Sequence, residues 1–415
     1  EFDDLFPKAR DGQTRYVSVL AGARAWLPQA VQDYFANGGE KLWVIRVPES
    51  QGQAGFLPRL EGTVLHDVGT LQGIALVMVL LDVGVMALPD LERLQIPARL
   101  PDIERLRLAN PPPAFLPCGT EVDDTHRERR RASEMEGAPE PLSTAVLLEQ
   151  IQGDLRRHRP DLQCLFTLPL SYGTRIGAPV ADPAALQAIE HMKSTRSGPG
   201  LRRVQFLFPY LRGFDHRLVS SVGLVAGLQA RVAGGFGSWR SVAGLPMLTA
   251  GRPYPQVDTH VAVGLRESPG IGVLRVRNGV VHLDDERLSV PALHRGDWAQ
   301  ARNPDRYKGY RSGEVQRFLG SLVRQLQSLG DALVFNLGSG DPRPRLLLER
   351  LFGRLFQAGA LRGNVPEDAF SIRESRPQEG ALVFEIEVAP AFPIDRVQLT
   401  FANRSGEWRA EVKNA

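Results

Sequence analysis

The sequence predicts a multidomain protein of α/β and α+β character: a central α/β domain, then a compact C-terminal α+β domain. Three observations predict it. A length of 415 residues is enough for two or three cores. Helical-period segments alternate with short β-branched runs through the first two thirds. The last third carries two amphipathic helices and then strictly alternating strands. On this reading residues 1–60 form an N-terminal segment, 61–91 and 142–295 the central domain, 92–141 an exposed insertion, 300–403 the C-terminal domain and 404–415 a tail.

Between 29 and 47 the chain reads QAVQDYFANGGEKLWVIRV. Leu27, Ala30, Val31 and Tyr34 share one helical face, opposite Gln29, Gln32 and Asp33. Asn37, Gly38 and Gly39 tolerate positive φ and close the helix. Leu42, Trp43, Val44, Ile45 and Val47, mostly β-branched or aromatic, predict a half-buried strand. Residues 64–90 have the pattern of buried strand material and end in DVGVMALPDL. Residues 92–141 are rich in proline and charge and read as an exposed loop. Arg127 to Arg131 are flanked by acidic residues, which favours a solvated loop over an anion patch.

Regular structure resumes with a helix capped by Ser143 or Thr144 and ended by Pro160, then a strand from Gln163 to Leu168. Another strand is expected over 202–211, followed by a helix rich in small residues and a glycine-rich turn. Asn278-Gly279 between alternating apolar positions signals a hairpin. Val315, Phe318, Leu319, Leu322, Val323, Leu326 and Leu329 make one helical stripe, with Arg317, Ser321, Arg324 and Ser328 opposite. Gly330 is expected to stop that helix, and ALVFNL to follow as a strand. A second helix over 344–358 buries Leu348, Leu351, Phe352, Leu355 and Phe356. Strands over 382–388 and 397–401 turn Phe384, Ile386 and Val388 inward and Glu385 and Glu387 outward.

Composition narrows the function. With 50 Lys+Arg against 47 Asp+Glu the net charge is +3, too little for a general nucleic-acid coat. Cys118 and Cys164 are far apart and lack partners at metal spacing, which argues against a disulfide framework and fits a reducing cytoplasm. The longest apolar run, 74–88, is interrupted by Asp82 and is shorter than the ~20 residues a bilayer span needs. No secretion signal opens the chain, which begins at Glu1 rather than Met, so native N-terminal residues are expected to be missing.

The best catalytic lead is VFNLGSGDPRPR, where Gly338-Ser339-Gly340 feeds a helix start. It lacks the third glycine of a dinucleotide fold and the Gly-Lys-Ser/Thr of a P-loop, and Asp341 repels anions, so a tight turn is favoured. The eight histidines include no pair at ligand spacing, and there is no Gly-x-Ser-x-Gly elbow. Asp284, Asp285 and Glu286 read as a solvated edge. No catalytic residue, cofactor or metal ligand is nominated.

The segment LPQAVQDYFANGGEKLWVIRV resembles the helix–Asn-Gly-Gly–strand element near the start of contractile tail sheath proteins of phages and phage-like injection particles. LDVGVMALPDL is similar to that family's next strand, and VGLVAGLQARVAGGFGSWRSVAG to its small-residue helix and tryptophan turn. SPGIGVLRVRNGVVHL matches loosely. The stretch LFGRLFQAGALRGNVPEDAFSI…GALVFEIEVAPAFPIDRVQLTF resembles the C-terminal sheath domain almost element for element.

The resemblance implies a structural protein that forms hexameric rings stacked helically around an inner tube and contracts to drive the tube through an envelope. Implied partners are further copies of itself, the tube protein, and baseplate and tail terminator or cap proteins, with no nucleic acid and no direct membrane insertion. Implied location is the cytoplasm during assembly, then a phage tail or phage-like particle, with extracellular release left open. Chain ends of such subunits add strands to neighbouring sheets. RVQLTFAN has neither proline nor central lysine, so its Val397, Leu399 and Phe401 are the expected inter-subunit strand, against the alternative of an intramolecular edge. Arg350, Arg354 and Gln357, with Arg343 just before the helix, are the candidate tube-facing residues, against a plain solvated face. The family's usual extended arm is not visible before Gln29, the motif before the long C-terminal helix survives only as RYKGYRSGE, and SGEWRAEVKNA runs past the usual end. Two other readings stay open: a non-contracting baseplate- or cap-proximal component, and a nucleotide-dependent enzyme using Gly338 to Gly340.

Overall fold

The computed structural model describes residues 21, 24–47, 52–60, 67–96, 143–172, 179–195, 198–213, 217–249, 251–290, 311–333, 341–376, 381–391, 397–404 and 407–413. Helix α1 (Leu27–Ala36) has proline in its first turn, where no backbone donor is needed, and is followed by Gly38 at φ 91°. Ala30, Val31 and Tyr34 are buried as the spacing predicts, but so is Asp33. Burial pushes its carboxyl up to about 6, opposed by a hydrogen bond donated by Gln29.

The strand predicted at 42–47 is not formed: among the described residues these pair with no strand. The strand reading of 64–90 is also corrected. After α2 (Gly52–Phe56), its apolar run makes a helix, α3 (Ile74–Val79), and only β1 (Val85–Ala87) is strand. A run without periodicity cannot separate a buried helix from a buried strand. Helix α4 (Pro89–Arg93) follows, and Leu91, Leu94 and Ile96 are buried, so residues 92–96 belong to the core rather than to an exposed insertion. Residues 97–142, with Arg127 to Arg131, lie outside the described residues.

Next come α5 (Thr144–His158), β2 (Gln163–Thr167), β3 (Leu170–Ser171), β4 (Val180–Ala181) and α6 (Pro183–Lys193). The strand expected over 202–211 is split at Pro209 into β5 (Val204–Phe208) and β6 (Tyr210–Arg212). Then follow β7 (Leu218–Val219), α7 (Val222–Phe236), β8 (Pro246–Met247), β9 (Arg252–Tyr254), α8 (Thr259–Glu267), β10 (Gly272–Arg277) and β11 (Val280–Leu283). The predicted hairpin joins β10 to β11 through Asn278 (φ 52°) and Gly279 (φ 78°).

The central sheet has the order β1-β2-β5-β10-β11-β8, parallel across the first four strands and antiparallel beyond. Alternate residues of β2 face different cores: Cys164 and Phe166 belong to the cluster that holds Leu147, Ile151 and Leu155 of α5, while Leu165 belongs to the one that holds Val222, Val225 and Leu228 of α7. Covering both faces suits parallel strands. Helix α1 lies outside α7 at very close range. A Cβ on Gly223 would stand 2.3 Å from the Ala30 carbonyl oxygen, and one on Gly227 2.2 Å from that of Tyr34.

The C-terminal unit consists of α9 (Gly313–Leu333), α10 (Arg343–Gln357), α11 (Pro366–Ala369), β12 (Phe370–Ser375), β13 (Ala381–Val388), β14 (Val397–Arg404) and β15 (Glu407–Lys413). The strands form an antiparallel meander in sequence order. Phe384, Ile386, Val397, Leu399, Phe401 and Trp408 pack under Phe318, Leu322, Leu326, Leu348 and Phe352 of the two helices. Gly330 does not stop α9, which runs to Leu333; Gly330 instead gives room to Trp408, whose Cβ lies 2.3 Å from where a side chain would begin. The strand expected at ALVFNL (332–337) is contradicted at its start, since 332–333 are the last residues of α9; its remainder and the turn at Gly338 to Gly340 lie outside the described residues. The expected tail is also corrected at 407–413, which form β15 because Trp408, Ala410 and Val412 alternate toward the core.

Candidate functional site

One helix joins the two units. Its stripe of Val315, Phe318, Leu322 and Leu326 enters the C-terminal core, while Arg317 and Arg324, seven residues and two turns apart, reach into the central unit. Arg317 Nη2 donates to Glu286 Oε2 at 3.0 Å and Nη1 donates to Oε1. Glu286 also accepts from the Val242 N–H at 2.7 Å, the Ser241 hydroxyl at 3.0 Å and Gln229 Nε2 at 3.1 Å. Burial acts to raise the Glu286 pKa, but the Arg317 guanidinium and these donors hold it below the usual carboxylate range. The solvated edge expected of Asp284, Asp285 and Glu286 is therefore overturned: Glu286 is fully buried, and Asp284 is paired with Arg275 at 3.1 Å and Arg277 at 2.6 Å. Arg317, expected on the outer face of α9, is buried because that face meets another domain instead of water.

The second contact has the same logic. Arg324 Nη1 donates to Asp161 Oδ2 at 3.1 Å and to its carbonyl oxygen at 3.0 Å. Arg159 grips both oxygens of the Asp161 carboxylate at 2.8 Å. It also donates to the carbonyls of Val77, Leu80 and Val83, which ties the α3–β1 turn to the joint. Between the two arginines, a Cβ on Gly320 would stand 2.0 Å from the Asp161 carbonyl oxygen, so only glycine admits this approach. Trp239 completes the joint by meeting Phe318 edge-on at 6.1 Å.

The C-terminal sheet corrects one expectation and refines another. Val397, Leu399 and Phe401 point into the core from β14, but that strand is interior, paired with β13 and with β15. Among the described residues the open edges are β12 and β15. The premise that RVQLTFAN is an exposed edge fails because residues 407–413 cover it. On α10, Arg343, Arg350, Arg354 and Gln357 are all exposed. Arg343 is paired with Asp341, its Nε donating to Oδ2 at 2.7 Å, whereas Arg350 and Arg354 form no ion pair among the described residues.

The other chemical leads are structural. Cys164 is buried and its thiol is pushed up by burial. Among the described residues no group of three His, Cys, Asp or Glu side chains could hold a metal, and no helix is long and apolar enough to cross a membrane. Sequence reasoning missed Asp90 and Glu92. Asp90 accepts from the Trp26 and Leu27 N–H groups at 2.7 and 3.2 Å at the start of α1, and burial raises it to about 6. Glu92 accepts from the Thr167 N–H at 2.8 Å, and burial pushes it up to about 8.

No family model and no curated protein matches the chain. Among solved structures it is similar to the PVC sheath complex of an extracellular contractile injection system in its contracted state, at 18% identity over 59% of this chain and 65% of that one, with a TM-score of 0.44. It is similar to a chain of the anti-feeding prophage baseplate at 17% identity over 62% of this chain and 65% of that one, TM-score 0.45. It is also similar to a sheath tail protein from Desulfitobacterium hafniense at 10% identity over 66% of this chain and 63% of that one, TM-score 0.42. The chain thus spans less than two thirds of the length of each of these structures, all of them from contractile injection systems or tail sheaths.

Proposed function

We propose that the chain is a structural subunit of a contractile tail sheath, polymerising as helically stacked hexameric rings around an inner tube and contracting to drive that tube through a target envelope. It acts through surfaces and joints rather than by bond chemistry, takes no cofactor, and meets copies of itself, tube, baseplate and terminator or cap proteins. One observation carries the reading. The stretch that resembles the sheath C-terminal domain folds as one continuous run of elements: the end of α10, a turn at Gly359, α11 and the successive strands β12, β13 and β14. Strand exchange between subunits uses the open edges of β12 and β15, with Val397, Leu399 and Phe401 holding the sheet to its helices from β14. Arg350 and Arg354, flanked by Gln357 and Arg343, face an acidic tube surface. A non-contracting baseplate- or cap-proximal component is the second reading, favoured by β15, which covers in cis the strand expected to serve a neighbour.

The test is negative-stain microscopy of the chain expressed alone and with its tube protein. Sheath function predicts hollow cylinders with sixfold end views around tube, and weaker co-sedimentation with tube for Arg350→Glu/Arg354→Glu. Binding confined to tube ends transfers support to the second reading. A monomer under every condition contradicts both.

A further inference from the structure

The Asp161 side of the joint gathers more positive charge than it neutralises. Asp161 already accepts from Arg159 at 2.8 Å and from Arg324 at 3.1 Å. A third guanidinium, Arg203 at the end of the turn Gly198–Arg203, is only 7% exposed. Among the described residues its side chain donates from Nε alone, to the Pro160 carbonyl at 3.3 Å, and forms no ion pair. Burial first, then the like charges of Arg202 and Arg156, lower its pKa to about 9, and Asp161 offsets them only in part. Gln152 of α5 is 3% exposed and makes no side-chain hydrogen bond among the described residues, its Oε1 buried without a partner. A Cβ on Gly200 would stand 2.3 Å from that Oε1 and 4.0 Å from Arg203 Nη1, so both groups border one space that the glycine leaves open. Arg156, four residues and one turn beyond Gln152, is exposed and acts on Arg203 from the rim.

We infer that Gln152, Arg156 and Arg203 form a binding site for a doubly charged oxyanion of the phosphate class. The Nη groups of Arg203 offer the paired N–H donors that match two oxygens of such an ion. Gln152 joins them once its amide rotates, which presents Nε2 where Oε1 now stands. Charge selects the dianion. Arg156, Arg159, Arg203 and Arg324 gather about the single Asp161 carboxylate, so a singly charged ligand leaves a larger positive excess than phosphate does. The site also touches the joint, because the Pro160 carbonyl that holds Arg203 Nε accepts from Gln316 Nε2 of α9 at 3.4 Å.

Equilibrium dialysis of the full chain against labelled inorganic phosphate, at about pH 7.5 and fixed ionic strength, tests the site. The expected result is one ion per chain, half-saturated below ~1 mM. Arg203→Met should weaken binding at least ~10-fold. Gln152→Glu keeps the side-chain shape and gives Arg203 a carboxylate of its own, so it should keep the fold and weaken binding at least ~10-fold as well. Arg350→Gln, on α10, should bind as the parent does. Absence of binding by the unmodified chain up to ~10 mM overturns the inference. So does an affinity unchanged in Gln152→Glu, or one lost equally in Arg350→Gln, which would mean diffuse attraction to basic surface.

Discussion

The two faces of α9 meet different surroundings. Toward its own sheet it offers Val315, Phe318, Leu322 and Leu326, packed under Ile386, Leu399 and Phe401. Toward the central unit it offers Arg317, Gly320 and Arg324, each set against one particular oxygen-bearing group. Apolar packing is non-directional and tolerates volume-conserving exchange. A buried charge depends on one partner and becomes a liability without it. The apolar face lets the C-terminal unit fold, and the polar face decides where that unit sits.

Two buried glutamates repeat the contrast within the central unit. Glu286 and Glu92 are both fully buried. Glu286 has the Arg317 guanidinium and stays a carboxylate, whereas Glu92 is held by neutral donors and burial pushes it up to about 8. Burial alone therefore does not set the charge state of a buried acid here; the neighbouring cation does.

The largest expected effect breaks the polar face. Arg317→Met strands the Glu286 carboxylate, and urea unfolding near pH 7 should show a loss of about 3–5 kcal/mol. Adding Glu286→Gln should recover most of it. A single-variant loss within ~0.5 kcal/mol would remove the charge from the explanation.

A smaller effect sharpens the comparison of the acids. The unfolded chain releases the Glu92 proton near 4.5 and the folded chain holds it to about 8, so the folded state binds more protons across that window. This group's contribution to stability is intact below 4.5, falls as pH rises to about 8, and is level beyond. Glu92→Gln should lessen the decline, gaining ~1–3 kcal/mol on the parent between about pH 5 and pH 8 in urea unfolding. Glu286 runs the other way: its contribution is present above 4.5 and is lost as pH falls below it. An unchanged pH profile in the Glu92 variant would mean that Glu92 is ionised when folded.

The smallest pair compares glycines on the two C-terminal helices. Gly320→Ala must move the Asp161 backbone and should lose about 1–3 kcal/mol. Gly353→Ala in α10 meets nothing within 4 Å and should gain about 0.5–1 kcal/mol from helix propensity. Equal effects in thermal unfolding would show that α9 is not pressed against the joint.

Elements whose residues carry their own period were legible in the sequence. The helix α1, the hairpin at Asn278-Gly279, the stripe of α9 and the alternation of β13 all stand where local spacing puts them. What was not legible depends on distant partners. Arg317 and Glu286 are 31 residues apart, and Arg324 and Asp161 are 163 apart, so no local pattern marks either pair. Residues 42–47 carry the composition of a strand, but a strand also needs an edge to pair with, which no local pattern supplies. At β15 the signal was present in the alternation of Trp408, Ala410 and Val412, masked by Glu407, Arg409 and Glu411 between them.

The central claim is that the polar face of α9 makes the two units one cooperative body. Differential scanning calorimetry of the full chain and of Arg317→Met/Arg324→Met tests it most directly. The account predicts one transition in the parent and two separated transitions in the variant, with the C-terminal core melting on its own. A single transition in the variant, merely shifted to lower temperature, would contradict it.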